Sequence, residues 1–167
     1  MSEHEPAWLR RAGKGRQPDG SLVAWAVAEG ARGRRWRWTV SDGAGLRHAG
    51  LVELDGDGFA RLELDGRAGM LTLHPDRDGT IAHGNVVRAE GVDPLAVSWA
   101  DGDAVAIEGD AFGSAVAGWQ GRGWVVGHDL RLRRPNGAPD VASGVALPAD
   151  DRGVPKLLAA HEWPLEA

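Results

Sequence analysis

The stretch Arg34-Arg-Trp-Arg-Trp-Thr-Val40 places a bulky apolar residue at every second position and a polar residue between them. Side chains of a β-strand point alternately to its two faces, so this period of two predicts a strand with one buried face. Trp36 and Trp38 fall on the core side, and Arg35 and Arg37 fall on the solvent side. The pattern therefore favours tryptophans that face the core. A nucleic-acid surface would need tryptophan and arginine on the same face, so that both contact one nucleic-acid strand.

Similar short alternating runs recur on both sides of this strand, separated by glycine and aspartate. The 25 glycines and 9 prolines among 167 residues fit many strands and turns better than long helices. We predict an all-β fold, an antiparallel meander of about ten short strands that closes as a barrel or half-open clam. A two-sheet β-sandwich is the alternative. The further predicted strands lie at residues 23–27, 51–54, 59–64, 69–74, 80–88, 95–99, 104–108, 114–120 and 123–133.

The domain organisation follows from where this alternation begins. Residues 1–20 are predicted as an N-terminal arm or short helix, and residues 21–167 as a single antiparallel β-barrel-like domain. Segments 95–99 and 104–108 should pair as a hairpin around Asp101-Gly-Asp103, since these residue types suit tight turns. No segment after residue 20 has a sustained helical stripe, although residues 156–160 could form one helical turn.

Composition excludes several classes of function. The net charge of −5 argues against a nucleic-acid partner, which usually needs a basic surface. The longest apolar run, Leu22–Ala28, is too short to span a membrane. The N-terminus has no apolar signal segment, so we expect a cytoplasmic protein. The absence of cysteine excludes disulfides and thiolate chemistry.

Two acidic turns contain fragments of calcium-loop patterns. Residues 53–58 and 74–79 both end an alternating acidic run in glycine, but the twelfth loop positions are Leu64 and Asn85 where a bidentate glutamate is needed. Turn formation explains both stretches better. We therefore predict no metal and no cofactor.

Histidine is the most suggestive polar residue type. If residues 75–79 form the loop between two strands, the pairing register places His74 and His83 on opposite faces, which argues against a shared metal site. His48 falls in a region without a clear strand pattern. No nucleophile elbow and no phosphate-binding loop is present, so no catalytic residue is predicted.

Tryptophan supplies most of the large side chains, with 8 tryptophans against 2 phenylalanines and no tyrosine. These indoles either pack into a solid core or line a cavity. The first hypothesis is non-catalytic binding of a small hydrophobic or amphipathic ligand, such as a lipid or glycolipid. The predicted ligand-binding residues are Trp36, Trp38, Trp99, Trp119, Trp124 and His83.

Two other classes of function stay open. One is a structural or protein-interaction module that acts through a sheet edge, or through Trp8 or Trp163, and includes a possible homo-oligomer. The other is a hydrolase-type enzyme that uses histidine with aspartate or glutamate.

Overall fold

The computed structural model describes residues 8–56, 58–76, 78–135 and 146–165, and these residues form twelve strands and one short helix. The elements in chain order are β1 (Arg10–Arg16), β2 (Leu22–Gly30), β3 (Gly33–Asp42), β4 (Gly45–Asp55), β5 (Gly58–Gly66), β6 (Gly69–Pro75), β7 (Ile81–Arg88), β8 (Gly91–Ser98), β9 (Ala104–Ile107), α1 (Ala111–Val116), β10 (Gly123–Val126), β11 (Leu132–Arg133) and β12 (Leu158–Trp163).

Nine strands form one large antiparallel sheet in the order β12-β1-β2-β3-β4-β5-β6-β7-β8. From β1 to β8 each strand pairs with its neighbour in sequence, as short hairpin connections require. The prediction of an all-β, antiparallel fold is confirmed. The predicted closed barrel is not found, because β12 and β8 remain the two edges of the sheet.

The core lies on one face of this sheet, and the alternation at residues 34–40 is confirmed. Trp36 and Trp38 are 1% and 2% exposed, whereas Arg35 and Arg37 face solvent. Trp25 pairs with Trp38 across β2 and β3, so three indoles share this inner face. They surround Phe112 of α1, with ring centroids 5.8–6.4 Å apart. This part of the interior is therefore solid, and the helix fills it.

The second sheet has the order β11-β10-β9, and β9 and β10 run parallel with α1 between them. Two predictions are therefore wrong. Residues 104–107 do not pair with 95–98, since β8 pairs with β7 instead. Residues 111–116 are helical, although 114–120 was predicted as a strand. The helix is buried on nearly all sides, so it has no polar stripe from which a helical period could be recognised.

Two smaller differences concern the ends of the chain. Residues 10–16 form strand β1 of the large sheet, although the sequence suggested an arm or short helix. The possible helical turn at 156–160 is not formed, because β12 begins at Leu158. Among the described residues, no helix has the length and hydropathy needed to cross a bilayer.

Candidate functional site

A cavity of about 280 Å³ opens at one end of the large sheet, where the second sheet covers it. Its walls come from the ends of β3 and β5, the start of β4, and the residues that follow β9 and β10. Since β9 and β10 are parallel, their carboxyl ends meet at this cavity. We call this space the His48 cavity.

His48 occupies an inner-face position of β4. It alternates with Gly50 and Val52, and its pairing partners are Val40 and Gly66. The missing side chain at Gly50 matters, because a Cβ there would lie 2.3 Å from the Trp38 indole. Trp38 therefore lies across Gly50 and reaches the same region as His48.

Asp110 lies next to His48 and Trp38, and its side chain is completely buried. Its Oδ1 accepts a hydrogen bond from the backbone N–H of Gly113 at 2.8 Å, which caps the N-terminus of α1. Its Oδ2 accepts a hydrogen bond from Trp38 Nε1 at 2.8 Å and lies 2.6 Å from His48 Nε2. One carboxylate thus links α1 to β3 and β4 of the large sheet.

Arg47 reaches the cavity because of a β-bulge. Val40 pairs with His48 and Ser41 pairs with Leu46, so Arg47 is the extra residue of β4. Its guanidinium donates a hydrogen bond to the Gly109 carbonyl at 3.1 Å and lies 3.3 Å from Asp19.

Asp19 stays ionised beside that guanidinium. Partial burial raises the pKa of Asp19, but hydrogen bonds from Ser21 and Arg47 lower the pKa by more, so it lies below its ordinary value of 3.8. The ion pair holds Arg47 against the rim of the cavity.

Two further groups at the cavity have unused hydrogen-bonding capacity. Arg67, in the turn between β5 and β6, makes no ion pair or hydrogen bond with any described residue. His48 has a described partner only at Nε2, and every fully buried polar side-chain atom in the described ranges has a partner. Its Nδ1 is therefore exposed to the cavity.

Each of the two carboxylates that line the cavity accepts a hydrogen bond from a backbone N–H. Asp42 accepts a hydrogen bond from the backbone N–H of Ala44 at 2.8 Å, and Glu108 accepts one from the backbone N–H of His128 at 3.1 Å. Apolar side chains of Leu64, Ile107 and Leu130 complete the wall. The site thus combines an apolar wall with a rim that carries the Arg67 guanidinium, a donor without a described partner.

Leu130 adds backbone strain to this wall. Its φ is +64°, which is unusual for a bulky residue and costs on the order of 1–3 kcal/mol. Its side chain is only 7% exposed and packs with the core cluster, which offsets that cost. Retained strain of this kind is concentrated at functional sites, so its presence here supports the assignment of the cavity as a site.

The residues predicted to bind a ligand are dispersed by the fold. Trp36 and Trp38 lie in the solid core, and Trp119 follows α1 outside any strand. Trp124 of β10 donates a hydrogen bond from Nε1 to the Ser98 carbonyl at 2.9 Å and stacks under Arg134. Trp99 packs on Phe59 at a separate, aspartate-rich depression. None of these five indoles lines the His48 cavity.

The expected register of His74 and His83 is wrong. The two residues are direct partners across β6 and β7, and their rings lie 6.4 Å apart on the same face. The turn that joins these strands lies further along the chain than assumed, between Asp76 and Ile81, since Asp76 N–H bonds the Ile81 carbonyl. His83 bonds Asp76 at 3.0 Å on the outer face of the sheet. In the described ranges, no three histidine or carboxylate side chains converge as metal ligands.

Sequence reasoning missed the three central residues, Arg47, His48 and Asp110. His48 was accessible in principle, because extending the alternation back from Val52 through Gly50 places it on the inner face. Asp110 carried an N-cap signal, since aspartate before Ala111-Phe-Gly is typical of a helix start. Arg47 had no such signal, because a bulge cannot be read from local alternation.

We compared the chain with protein-family models, with curated proteins and with solved structures, and none of the three comparisons gave a match. The function is therefore inferred from the site itself.

Proposed function

We propose that this protein binds a small amphipathic anion, a short apolar chain that ends in a carboxylate or phosphate, in the His48 cavity. The observation that supports this most is the guanidinium of Arg67, which has no partner among the described residues and lies at a cavity with an apolar wall. Ligand sites commonly combine apolar lining with a few polar groups that fix orientation. Arg67 supplies that orientation, and Leu64, Ile107 and Leu130 receive the apolar part.

This proposal keeps the amphipathic ligand expected from the sequence but moves its site. The cavity volume of about 280 Å³ suits a short chain or the end of a longer lipid chain. The indoles contribute indirectly, because Trp38 holds Asp110 and Asp110 holds His48.

The ligand class can be tested by isothermal titration calorimetry with hexanoate, hexyl phosphate, hexan-1-ol and hexyl glucoside. We expect the two anions to bind more tightly than the two neutral compounds, because only anions can pair with Arg67. Arg67→Gln should weaken hexanoate binding by roughly tenfold, or about 1.4 kcal/mol. Arg67 is exposed, so this substitution should leave stability unchanged.

Arg37→Gln is the matched control, since Arg37 is exposed on the outer face of β3 and far from the cavity rim. It should leave binding unchanged. Equal affinity for hexyl glucoside and hexanoate, or equal affinity of the wild type and Arg67→Gln for hexanoate, would contradict an anion site.

A second candidate function is self-association through the β12 edge, which has one specific observation in its favour. All six residues of β12 are exposed, including Leu158 at 64% and Trp163 at 42%. A sheet edge with exposed apolar side chains is a template for pairing with another strand. A second copy of the chain would supply such a strand.

Light scattering at increasing protein concentration tests this candidate. We expect the wild-type mass to rise toward that of a dimer, and Trp163→Glu to remain monomeric because the charge would be buried between edges. Ile81→Glu is the control, as Ile81 is 40% exposed on the interior strand β7. A wild type that stays monomeric throughout would exclude this candidate.

A further inference from the structure

Asp110 makes two contacts, with His48 and Trp38, that helix capping does not require. Capping α1 needs only Oδ1 of Asp110, which accepts the Gly113 N–H. Oδ2 is free to hold the imidazole at 2.6 Å, and Trp38 Nε1 fixes that oxygen from the other side. The ring of His48 therefore has a defined orientation before any ligand arrives, as acid–base catalysis needs.

The groups around Asp110 use both of its carboxyl oxygens as acceptors. An indole N–H and a backbone N–H can only donate, so both carboxyl oxygens act as acceptors toward them. Oδ2 accepts a further hydrogen bond from Nε2 of His48, so the lone pair of the imidazole lies on Nδ1, which is exposed to the cavity.

The cavity offers no side chain that could attack a substrate covalently in the manner of serine or cysteine. Serine, threonine, cysteine and lysine are all absent from its described lining. A reaction at Nδ1 would therefore use water as the nucleophile, with His48 as the base that activates it. Arg67 would hold an anionic group of the substrate, and this step rests on the proposed function.

We propose that His48 is a general base and general acid for hydrolysis of a carboxylic ester that carries an anionic group. Nδ1 takes a proton from water as the water oxygen bonds to the ester carbonyl carbon. The tetrahedral intermediate then breaks its bond to the leaving alcohol oxygen, which receives the same proton from Nδ1. The products are a carboxylic acid and an alcohol, and no other reactant is needed.

Asp110 acts as a positioning residue in this scheme. It holds the ring through Nε2 and stabilises the imidazolium that forms when Nδ1 is protonated. Asp110→Asn should therefore lower kcat while it leaves the KM for the ester unchanged, because substrate contacts are made by other residues.

The probe for this activity is 4-nitrophenyl glutarate, an activated ester with one free carboxylate, and release of 4-nitrophenolate is measured. We expect His48→Gln to lower kcat/KM on the order of 100-fold. The neutral 4-nitrophenyl pentanoate, with the same chain length, should react more slowly with the wild type because it cannot pair with Arg67. His74→Gln is the control, since His74 is exposed on the outer face of β6.

A measurement on the wild type keeps the test independent of whether His48→Gln folds. General-base attack by water should be slower in D2O, because a proton moves in the rate-limiting step. Turnover at the same rate in D2O with a burst of 4-nitrophenolate would indicate attack by the imidazole itself and would overturn the proposal. Equal rates for the wild type and a folded His48→Gln would also overturn it.

Binding of the unreactive 4-nitroanilide of glutarate separates this inference from the proposed function. If the anilide binds in an Arg67-dependent way and the ester is not hydrolysed above the buffer rate, the catalytic inference fails and the binding function stands. If neither compound binds, both fail.

Discussion

Phe112→Ala should destabilise the protein by about 3–5 kcal/mol, among the largest effects of any single substitution in the core. Phe112 is fully buried and contacts the rings of Trp25, Trp36 and Trp38. Its truncation leaves a cavity between the large sheet and α1. Because rigid indoles on three sides cannot collapse into that space, the loss includes a cavity term as well as the lost burial.

The other phenylalanine provides a matched control. Phe59 is partly buried and contacts Trp99 at the open end of the sheet. Phe59→Ala should lower the free energy of unfolding by about 1–2 kcal/mol, because solvent or neighbouring side chains can fill the space. Urea denaturation followed by circular dichroism measures both free energies of unfolding. Equal losses for the two variants would show that α1 does not fill the core of the large sheet.

The hairpins were predictable because their information is local. Strands β4 and β5 meet at Asp55 and Gly58, where aspartate and glycine tolerate the positive φ of a tight turn. The inward face of β3 was equally clear from residues 34–40 alone. Neither inference needed knowledge of what lies across the core.

The rest of the fold depended on contacts that are distant in sequence. The apolar run around Phe112 could be a buried strand or a buried helix, and periodicity cannot distinguish the two when every side is buried. The segment is helical because Phe112 packs against the indoles of the large sheet and Asp110 caps the helix. The parallel pairing of β9 with β10 follows from that helix, since parallel neighbours require a crossover connection.

The site was less predictable still. His48 and Asp110 are separated by 62 positions, and nothing near either residue indicates the other. The bulge at Arg47 shifts the register by one residue and interrupts the alternation of apolar and polar residues. From the sequence, such an interruption looks like the end of a strand. Trp38 was expected to line a ligand site, but it lies one contact away from the cavity, since its Nε1 bonds Asp110 and Asp110 bonds His48.

Asp110→Ala should destabilise the protein by about 3–5 kcal/mol, because it removes the acceptor for three groups at once. Gly113 N–H loses its cap, and Trp38 Nε1 and His48 Nε2 lose their partner in a buried region. A buried donor without a partner costs about 1–3 kcal/mol. Alanine has no polar atom to replace the carboxylate. The loss of stability should therefore be large even though the change in side-chain volume is small.

Asp129→Ala separates this effect from ordinary loss of a turn carboxylate. Asp129 is exposed and accepts a hydrogen bond from the Arg131 N–H at 3.0 Å, so its removal should cost less than about 1 kcal/mol. A double-mutant cycle of Asp110→Asn with His48→Gln then measures the pair itself. We expect a coupling free energy of about 1–3 kcal/mol. Additive losses would mean that Asp110 serves only as a helix cap, and that the orientation of His48 has another origin.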